Sequence, residues 1–505
     1  MSFEITEAHT AIFNAMQKAD RNVVISAVAG AGKTTTLEVS LGHIASNKSV
    51  LFVVFNKKNA EEMKTRVGTR FPNVNIMTLN ALGHRAYCGW RGPKRPVRVD
   101  GDKLRGLAKR ILAPIDYAVF GATVTKLARF AKAVGIVPAG IPGAAQGLLP
   151  DTMQTWSDLL DYFDVEIPDG TTDVVVIDCA RRVLKESVST MDVIDFDDQL
   201  LMTFAYDCPL QKYDVVMADE CQDMNTLQHE LVARSLKAGG MLVAVGDECQ
   251  SLYGFRGAAS DSMARLGQRF NCLRLPLHVS YRCPQNVVAL AQRYVSHIKA
   301  HHTAPLGTVL DTRKDFREVE FQPNEMVVCR TSAPLVQVAY NLLRKRVPCI
   351  ILGKEIGQGL LSVIKKLKAT DMPSLLARLQ AWEDKESQRL LLQEKEEQAA
   401  AVHDKADTIR IFAEGVDAIP ELELAIGRMF DNNASSGMVT LCTIHKAKGL
   451  EAERVTILNF DDMPCKWAKQ DWQRQQEINC VYVAVTRAKS HLQMVVVPKA
   501  GGRKS

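Results

Sequence analysis

Short uninterrupted apolar runs, each closed by a turn or by acidic residues, punctuate the chain and set the first expectation of its fold. Val23, Val24 and Ile25 suit a buried strand, as do residues 215–218 ("VVMA") and 241–245 ("MLVAV"). Runs of this length bounded by turn signals read as strands covered by other elements. In the second half "MVVC", "PCII", "MVTL", "VTIL" and "LQMVVV" supply further strand candidates. Residues 356–435 break the pattern. Their stretch "AWEDKESQRLLLQEKEEQAAAVHDKADTIRIF" holds long helix formers with neither proline nor glycine, and predicts helix. No sustained heptad runs through it, so no coiled coil is expected. "GIVPAGIPGAAQGLLPD", residues 135–151, predicts a loop from its glycine and proline content.

What stands at the ends of these strands suggests chemistry. "SAVAGAGKTTT" follows the first strand, and "KTTTLEV" can open a helix. Strand, glycine-containing loop and helix in that order form a phosphate cradle. Backbone N–H groups from Ala29, Gly30, Ala31 and Gly32 through Thr35 would hold the phosphates. Lys33 would reach the terminal ones, and Thr34 would present its hydroxyl to Mg²⁺. Ala27 stands where the strict pattern has its first glycine.

A phosphate loop needs a partner carboxylate, and "YDVVMADECQD" offers two where its strand ends. Asp219 would hold Mg²⁺ through water, and Glu220 would orient and deprotonate the attacking water. A glutamate in that place argues against a simple kinase, whose attacking group comes with the substrate. "MLVAVGDECQSLYGFRGA" brings Asp247 and Gln250 to the same crevice, with Gln250 suited in type to sense a γ-phosphate. Tyr253, Phe255 and Arg256 then put two aromatics and a cation into one loop. Aromatic faces stack on bases without demanding a sequence.

With these motifs in this order, the chain resembles the superfamily 1 DNA helicases of the UvrD/Rep/PcrA group, the F-box helicase-like branch included. The resemblance implies an α/β fold of two RecA-like P-loop domains, each interrupted by a mostly helical insertion. "ITEAHTAI" resembles the adenine-reading motif, with His9 where glutamine is usual; a neutral imidazole can donate one hydrogen bond and accept one. "VVFNKKNAEEMKTR", containing Phe55 and Asn56, and "TLNALGH", containing Thr78 and Asn80, resemble DNA-contacting segments. "DFDDQL", residues 195–200, matches a further segment whose acids suit a structural or coupling role. In "HVSYRCP" the resemblance implies that Tyr281 stacks near the nucleotide base and that Arg282 reaches the γ-phosphate. "VVCRTSAPL", residues 327–335, matches the next strand-turn element. "TIHKAKGLE" joins DNA contacts, Thr443 and His445, to Glu451 on the nucleotide side. "QEINCVYVAVTRAK" supplies a second arginine, Arg487, with Gln476 and Asn479 in place of a common glutamate and arginine.

Bulk properties refine this picture. At 505 residues the chain exceeds one core and predicts two to four domains. The predicted division is a first ATP-binding domain at 1–90 and 180–275, a basic helical insertion at 91–179, a second RecA-like domain at 276–355 and 436–505, and a short helical insertion at 356–435. A formal net charge of +6 is too small to announce a nucleic-acid protein. Between residues 91 and 132, however, eleven Lys and Arg face three Asp, an excess suited to phosphate contacts or to a solvated helix face. The 12 cysteines show no metal-ligand spacing and read as reduced thiols. No membrane span or signal peptide is expected, and the protein reads as intracellular, cytoplasmic in a bacterium or phage and nuclear in a eukaryote.

The expected activity is an ATP- and Mg²⁺-dependent translocase on single-stranded DNA. By resemblance it runs 3′ to 5′ and separates strands at single-strand/duplex junctions as a monomer. Two other readings stay open: an ATP-switched DNA-binding regulator that recruits a repair or replication partner, and an RNA-directed enzyme.

Overall fold

In the computed structural model, which describes residues 4–163, 165, 167–252, 261–392, 396–431, 436–466, 468 and 470–498, the apolar runs of the first half become strands of one sheet. The described parts of Met1–Ala27 and Gly32–Leu277 make one unit, and those of Val28–Ala31 and His278–Ser505 a second.

The first unit contains β1 (Val23–Ala27), β2 (Val50–Val53), β3 (Val74–Met77), β4 (Arg98–Val99), β5 (Val193–Ile194), β6 (Tyr213–Ala218), β7 (Leu236–Gly246) and β8 (Leu273–Leu277). Its main sheet runs β3-β2-β6-β7-β1-β8 with every pairing parallel, and β4 pairs with β5 apart from it. Ser26 stands opposite Gly246 and Ala218 opposite Ala244, so β1, β6 and β7 end nearly level. Ligands of open parallel sheets bind at that carboxyl edge. Beyond β1 the backbone turns through Gly30 (φ 72°) and Gly32 (φ 73°) into the helix Lys33–Ser40. These left-handed conformations cost glycine little. Ala27 needs no such freedom, because it is the buried last residue of β1.

Four helices, Lys103–Ile111, Pro114–Val134, Met153–Tyr162 and Asp173–Ser189, intervene between β4 and β5. Phe120, Trp156 and Val183 of these helices share one apolar core with Val24 and Leu51 of the sheet. Trp156 is wholly buried, and its indole N–H donates to Asp151 Oδ1 at 2.8 Å, so its one polar group is satisfied. The glycine- and proline-rich stretch is loop apart from a short turn at Ala144–Gln146 and one bridge between Ile136 and Leu149.

The expected basic surface of residues 91–132 needs correcting. Lys103 and Lys132 point inward and meet the acids of "DFDDQL". Lys132 Nζ lies 2.6 Å from both Asp195 Oδ2 and Asp198 Oδ1, and Lys103 Nζ 2.6 Å from Asp198 Oδ2. Burial pushes the Asp198 carboxyl up, but the two ammonium groups outweigh it and hold the group below its ordinary value. Arg91 is paired with Asp192, Arg105 with Asp102, Arg110 with Glu186 and Arg129 with Asp197. A count confined to one window overlooked partners that the fold brings from residues 186–198. The acids of "DFDDQL" therefore bind two insertion helices, Lys103–Ile111 and Pro114–Val134, to the turn that follows β5.

The second unit contains β9 (Val279–Ser280), β10 (Lys299–Ala300), β11 (Thr308–Asp315), β12 (Met326–Cys329), β13 (Cys349–Leu352), β14 (Phe430–Asp431), β15 (Val439–Thr443), β16 (Ala452–Leu458) and β17 (Ala488–Val496). Its main sheet runs β11-β17-β16-β12-β15-β13-β14, again all parallel. Helices Lys354–Leu367, Met372–Leu392, Glu396–Ala413 and Ile419–Met429 lie between β13 and β14. Leu375, Leu379, Ile409, Phe412 and Ile426 bury the apolar faces of three of them, in one core with Val336 and Leu342. Both main sheets are the α/β type of a RecA-like domain. The twelve cysteines form no disulfide, and no helix among the described residues is long and apolar enough to cross a membrane.

Candidate functional site

Where β6 ends, the chain turns sharply enough to put Glu220 in the left-handed region (φ 53°, ψ 40°). A residue with a β-carbon pays about 1–2 kcal/mol for that conformation. The turn sets Asp219 and Glu220 at the carboxyl edge of the sheet, beside the start of the helix Lys33–Ser40. Thr34 Oγ1 donates to Asp219 Oδ2 at 2.6 Å, and Lys33 Nζ lies 3.9 Å from Glu220 Oε1. From the end of β7, Asp247 Oδ2 accepts a hydrogen bond from Gln250 Nε2 at 2.7 Å. Asp219 is pushed up to about 6, by burial and then by the neighbouring Glu220, against the pull of the Thr34 hydroxyl and the Lys33 ammonium. Burial also raises Asp247, with Lys33 again opposing.

This arrangement fits a magnesium-nucleotide. Mg²⁺ takes hard oxygen donors, and Thr34 and Asp219 offer a hydroxyl and a carboxylate side by side. Asp219, Glu220 and Asp247 gather around one ammonium, Lys33, a deficit of positive charge that a divalent ion would correct. His9 lies in the helix Glu7–Lys18, where its Nδ1 stands 2.8 Å from the Thr6 hydroxyl. Its burial lowers the imidazole pKa, against the pull of the Glu4 carboxylate, and so favours the neutral ring. Thr35 is half-buried in the first turn of the helix after the loop.

A cleft of about 300 Å³ joins these acids to other expected positions. Val53, Phe55, Leu79, Asn80, Asp219 and Glu220 are among its lining residues. Phe55 is 44% exposed. Asn56 and Thr78 act locally as helix caps: Asn56 Oδ1 accepts from Asn59 N–H at 2.8 Å, and Thr78 Oγ1 from Ala81 N–H at 3.1 Å. Asn80 Nδ2 donates to the carbonyl of Phe196 at 2.7 Å. Phe196, 62% exposed, is an aromatic that the sequence reading passed over. No local signal marked it: Asp195 and Asp198 turn inward to lysines distant in the chain, and the large apolar residue beside them is left facing out. Tyr253, Phe255 and Arg256 lie outside the described residues.

In the second unit Glu451 gathers cations. Its carboxylate lies 2.6 Å from Arg282 Nε and 2.6 Å from Lys489 Nζ, which together hold its pKa low against the effect of burial. Arg487 is almost wholly buried; Nε donates to the carbonyl of Val483 at 2.9 Å and Nη1 to that of Leu450 at 3.1 Å. Tyr281 is 41% exposed with its ring 4.8 Å from that of His301. Thr443 ends β15, and His445 follows in the turn Ile444–Ala447 with its Nε2 3.9 Å from Cys480 Sγ. Gln476 stood in the sequence where a glutamate is common, but the next residue, Glu477, is buried, and its Oε1 accepts from both Nη2 and Nε of Arg330 at 2.8 and 3.0 Å. The two residues stand 147 positions apart in the sequence, and that separation hid the ion pair.

Comparison with known proteins agrees with the order of these motifs. A family model described as an AAA domain matches residues 9–256, and one described as the UvrD-like helicase C-terminal domain matches residues 390–499. The chain is 25% identical to the F-box DNA helicase protein 1 of Schizosaccharomyces pombe, over 93% of this chain and 55% of that protein. It is 27% identical to the ATP-dependent DNA helicase PcrA of Leuconostoc citreum, over 56% of this chain and 38% of the relative. Against the ATP-dependent DNA helicase UvrD2 of Mycobacterium tuberculosis the identity is 24%, over 54% of this chain and 41% of the relative. The matched stretches thus span about half or less of each relative's own length.

Proposed function

We propose, from the membership of this chain in the superfamily 1 UvrD-like helicases, that it is a DNA-stimulated ATPase that moves along single-stranded DNA from 3′ to 5′ and separates duplex strands. One observation carries the reading: the proposed hydrolytic acids share a single cleft with an exposed aromatic and a half-buried amide, Glu220 and Asp219 lining it together with Phe55 and Asn80. A strand held at those positions lies within reach of the residues that act on the phosphate. In this reading Lys33 and the loop from Ala29 to Thr35 bind ATP, Thr34 and Asp219 hold Mg²⁺, Glu220 is the general base and Gln250 senses the γ-phosphate. Arg282 and Arg487 supply cationic charge to that phosphate, since the arginine fork binds phosphate oxygens bidentately and stays charged. The first motor domain takes residues 1–90 and 180–275 around 91–179, and the second takes 276–355 and 436–505 around 356–435.

Hydrolysis measured with matched DNA and RNA single strands at fixed salt tests the substrate. Single-stranded DNA is expected to raise the turnover rate and RNA to leave it low. Equal stimulation by both would remove the DNA assignment, and no stimulation by either would remove the motor.

Phe196 joins the proposed DNA surface. Stacking of a base on an aromatic side chain is worth about 1–3 kcal/mol. Phe196→Ala is expected to raise the single-stranded DNA concentration for half-maximal ATPase by about 5- to 150-fold, since 1.4 kcal/mol is a factor of ten. The melting temperature stays at the wild-type value because the ring is mostly in solvent. An unmoved DNA titration would exclude the ring from the contact.

A further inference from the structure

Glu220 combines a demanding task with an awkward position. A general base must present its carboxylate to one water in one orientation, and a misplacement of about 1 Å can cost 10²-fold in rate. Yet Glu220 sits on a left-handed turn with its side chain 26% exposed. Two residues on, in the short turn Cys221–Asp223, Gln222 is 1% exposed and grips it. Gln222 Nε2 donates to Glu220 Oε2 at 2.5 Å, and Gln222 Oε1 accepts the backbone N–H of Asp247 at 3.0 Å. The orientation of this amide is fixed by its neighbours, because an ionised carboxylate only accepts and a main-chain N–H only donates.

A second observation comes from the neighbouring strand. A β-carbon on Gly246, the last residue of β7, would stand 2.5 Å from Gln222 Oε1, its nearest neighbour, 2.7 Å from Met263 Sδ and 3.0 Å from Cys221 Sγ. The glycine therefore leaves the space that the amide occupies. Asp247, whose N–H the amide receives, also holds Gln250 through its carboxylate at 2.7 Å. One buried side chain thus spans from the end of β6 to the end of β7.

We propose that Gln222 is a positioning residue for ATP hydrolysis: it fixes the carboxylate of Glu220 and ties its aim to the Asp247–Gln250 turn. The proposal rests on the reading of Glu220 as the general base. A movement at the end of β7, where Gln250 stands, reaches Glu220 through a side chain that bonds to both. In this account Gly246 serves Gln222.

The test is steady-state ATP hydrolysis at saturating single-stranded DNA, with nucleotide affinity and melting temperature measured on the same proteins. Gln222→Leu is expected to lower kcat by about 10²-fold, the scale of a misplaced reacting group, while nucleotide affinity stays at the wild-type value. Gln222→Glu has nearly the same shape but cannot donate to a carboxylate, and it is expected to behave like the leucine variant. Gly246→Ala should do the same by displacing the amide. In a Glu220→Gln background, Gln222→Leu is expected to cost nothing further, because residues acting as one unit are not additive.

A wild-type kcat in Gln222→Leu overturns the proposal. So does a loss that multiplies in full onto Glu220→Gln, or a fall in nucleotide affinity and melting temperature that accounts for the lost rate. Failure of the underlying reading looks different: Glu220→Gln then hydrolyses ATP at the wild-type rate, which overturns both.

Discussion

Glu220→Gln is expected to bind ATP as the unchanged protein does and to hydrolyse it about 10²–10⁴-fold more slowly, the usual contribution of a positioned acid-base group. The two effects separate because binding and proton abstraction fall to different side chains. In the proposed reading the nucleotide is held by the loop before the helix Lys33–Ser40 and by Lys33, while Mg²⁺ would fall to Thr34 and Asp219, which touch each other at 2.6 Å. Glu220 meets Lys33 only at 3.9 Å, so neutralising it leaves the magnesium donors in place. The glutamine also keeps the left-handed turn, because its backbone demands are the same as those of glutamate. Single-turnover hydrolysis at saturating DNA, beside a titration with a fluorescent nucleotide, measures both quantities. Full-rate hydrolysis would exclude Glu220 as the base; lost binding would assign it to holding the nucleotide.

The second large effect concerns stability. Lys132→Met is expected to destabilise the first unit by about 3–5 kcal/mol, the cost of removing one partner from a buried ion pair. Lys132 is wholly buried and lies 2.6 Å from carboxylate oxygens of both Asp195 and Asp198, with Ser187 Oγ 2.9 Å away. Lys103 meets Asp198 at 2.6 Å and also donates to the carbonyl of Ser187 at 2.6 Å. Two ammonium groups thus balance two carboxylates, and methionine, similar in length, removes one charge without opening a large cavity. The remaining imbalance is electrostatic. Adding Asp195→Asn restores the balance and should recover a good part of the loss, which neighbouring sites permit because their effects do not add. Urea denaturation followed by circular dichroism measures the difference. A Lys132→Met midpoint equal to that of the wild type would show that the cluster contributes nothing net.

Strand positions were legible from the sequence because β1, β6, β7 and β12 each hold an uninterrupted apolar run, at residues 23–25, 215–218, 241–245 and 326–329, a pattern that needs no partner to be read; the rest of β7, with Lys237 in it, lay outside its run. The acids and the lysine of the site were equally visible, since each stands just beyond such a strand: Asp219 after β6, Asp247 after β7, Lys33 after the glycine loop that follows β1. What escaped were properties that arise only when distant segments meet. Lys103 and Lys132 look like surface cations until Asp195 and Asp198, more than sixty positions away, are folded onto them. Gln222 looks like a bystander until β7 brings the Asp247 N–H to its side chain. Phe196 became an exposed aromatic because its acidic neighbours turned inward. Arg330 and Glu477 found each other across 147 positions, which no local window spans. Local chemistry was readable, and long-range pairing was not.

Strand displacement is the most direct test of the motor. Matched duplexes carrying a 3′ single-stranded tail, a 5′ tail or blunt ends are incubated with the protein and ATP·Mg²⁺, with no partner added. The account predicts that the 3′-tailed duplex is separated, that the other two are not, and that Glu220→Gln separates none. Vigorous DNA-stimulated ATP hydrolysis with all three duplexes left intact would contradict it, and would leave a nucleotide-switched DNA-binding protein in its place.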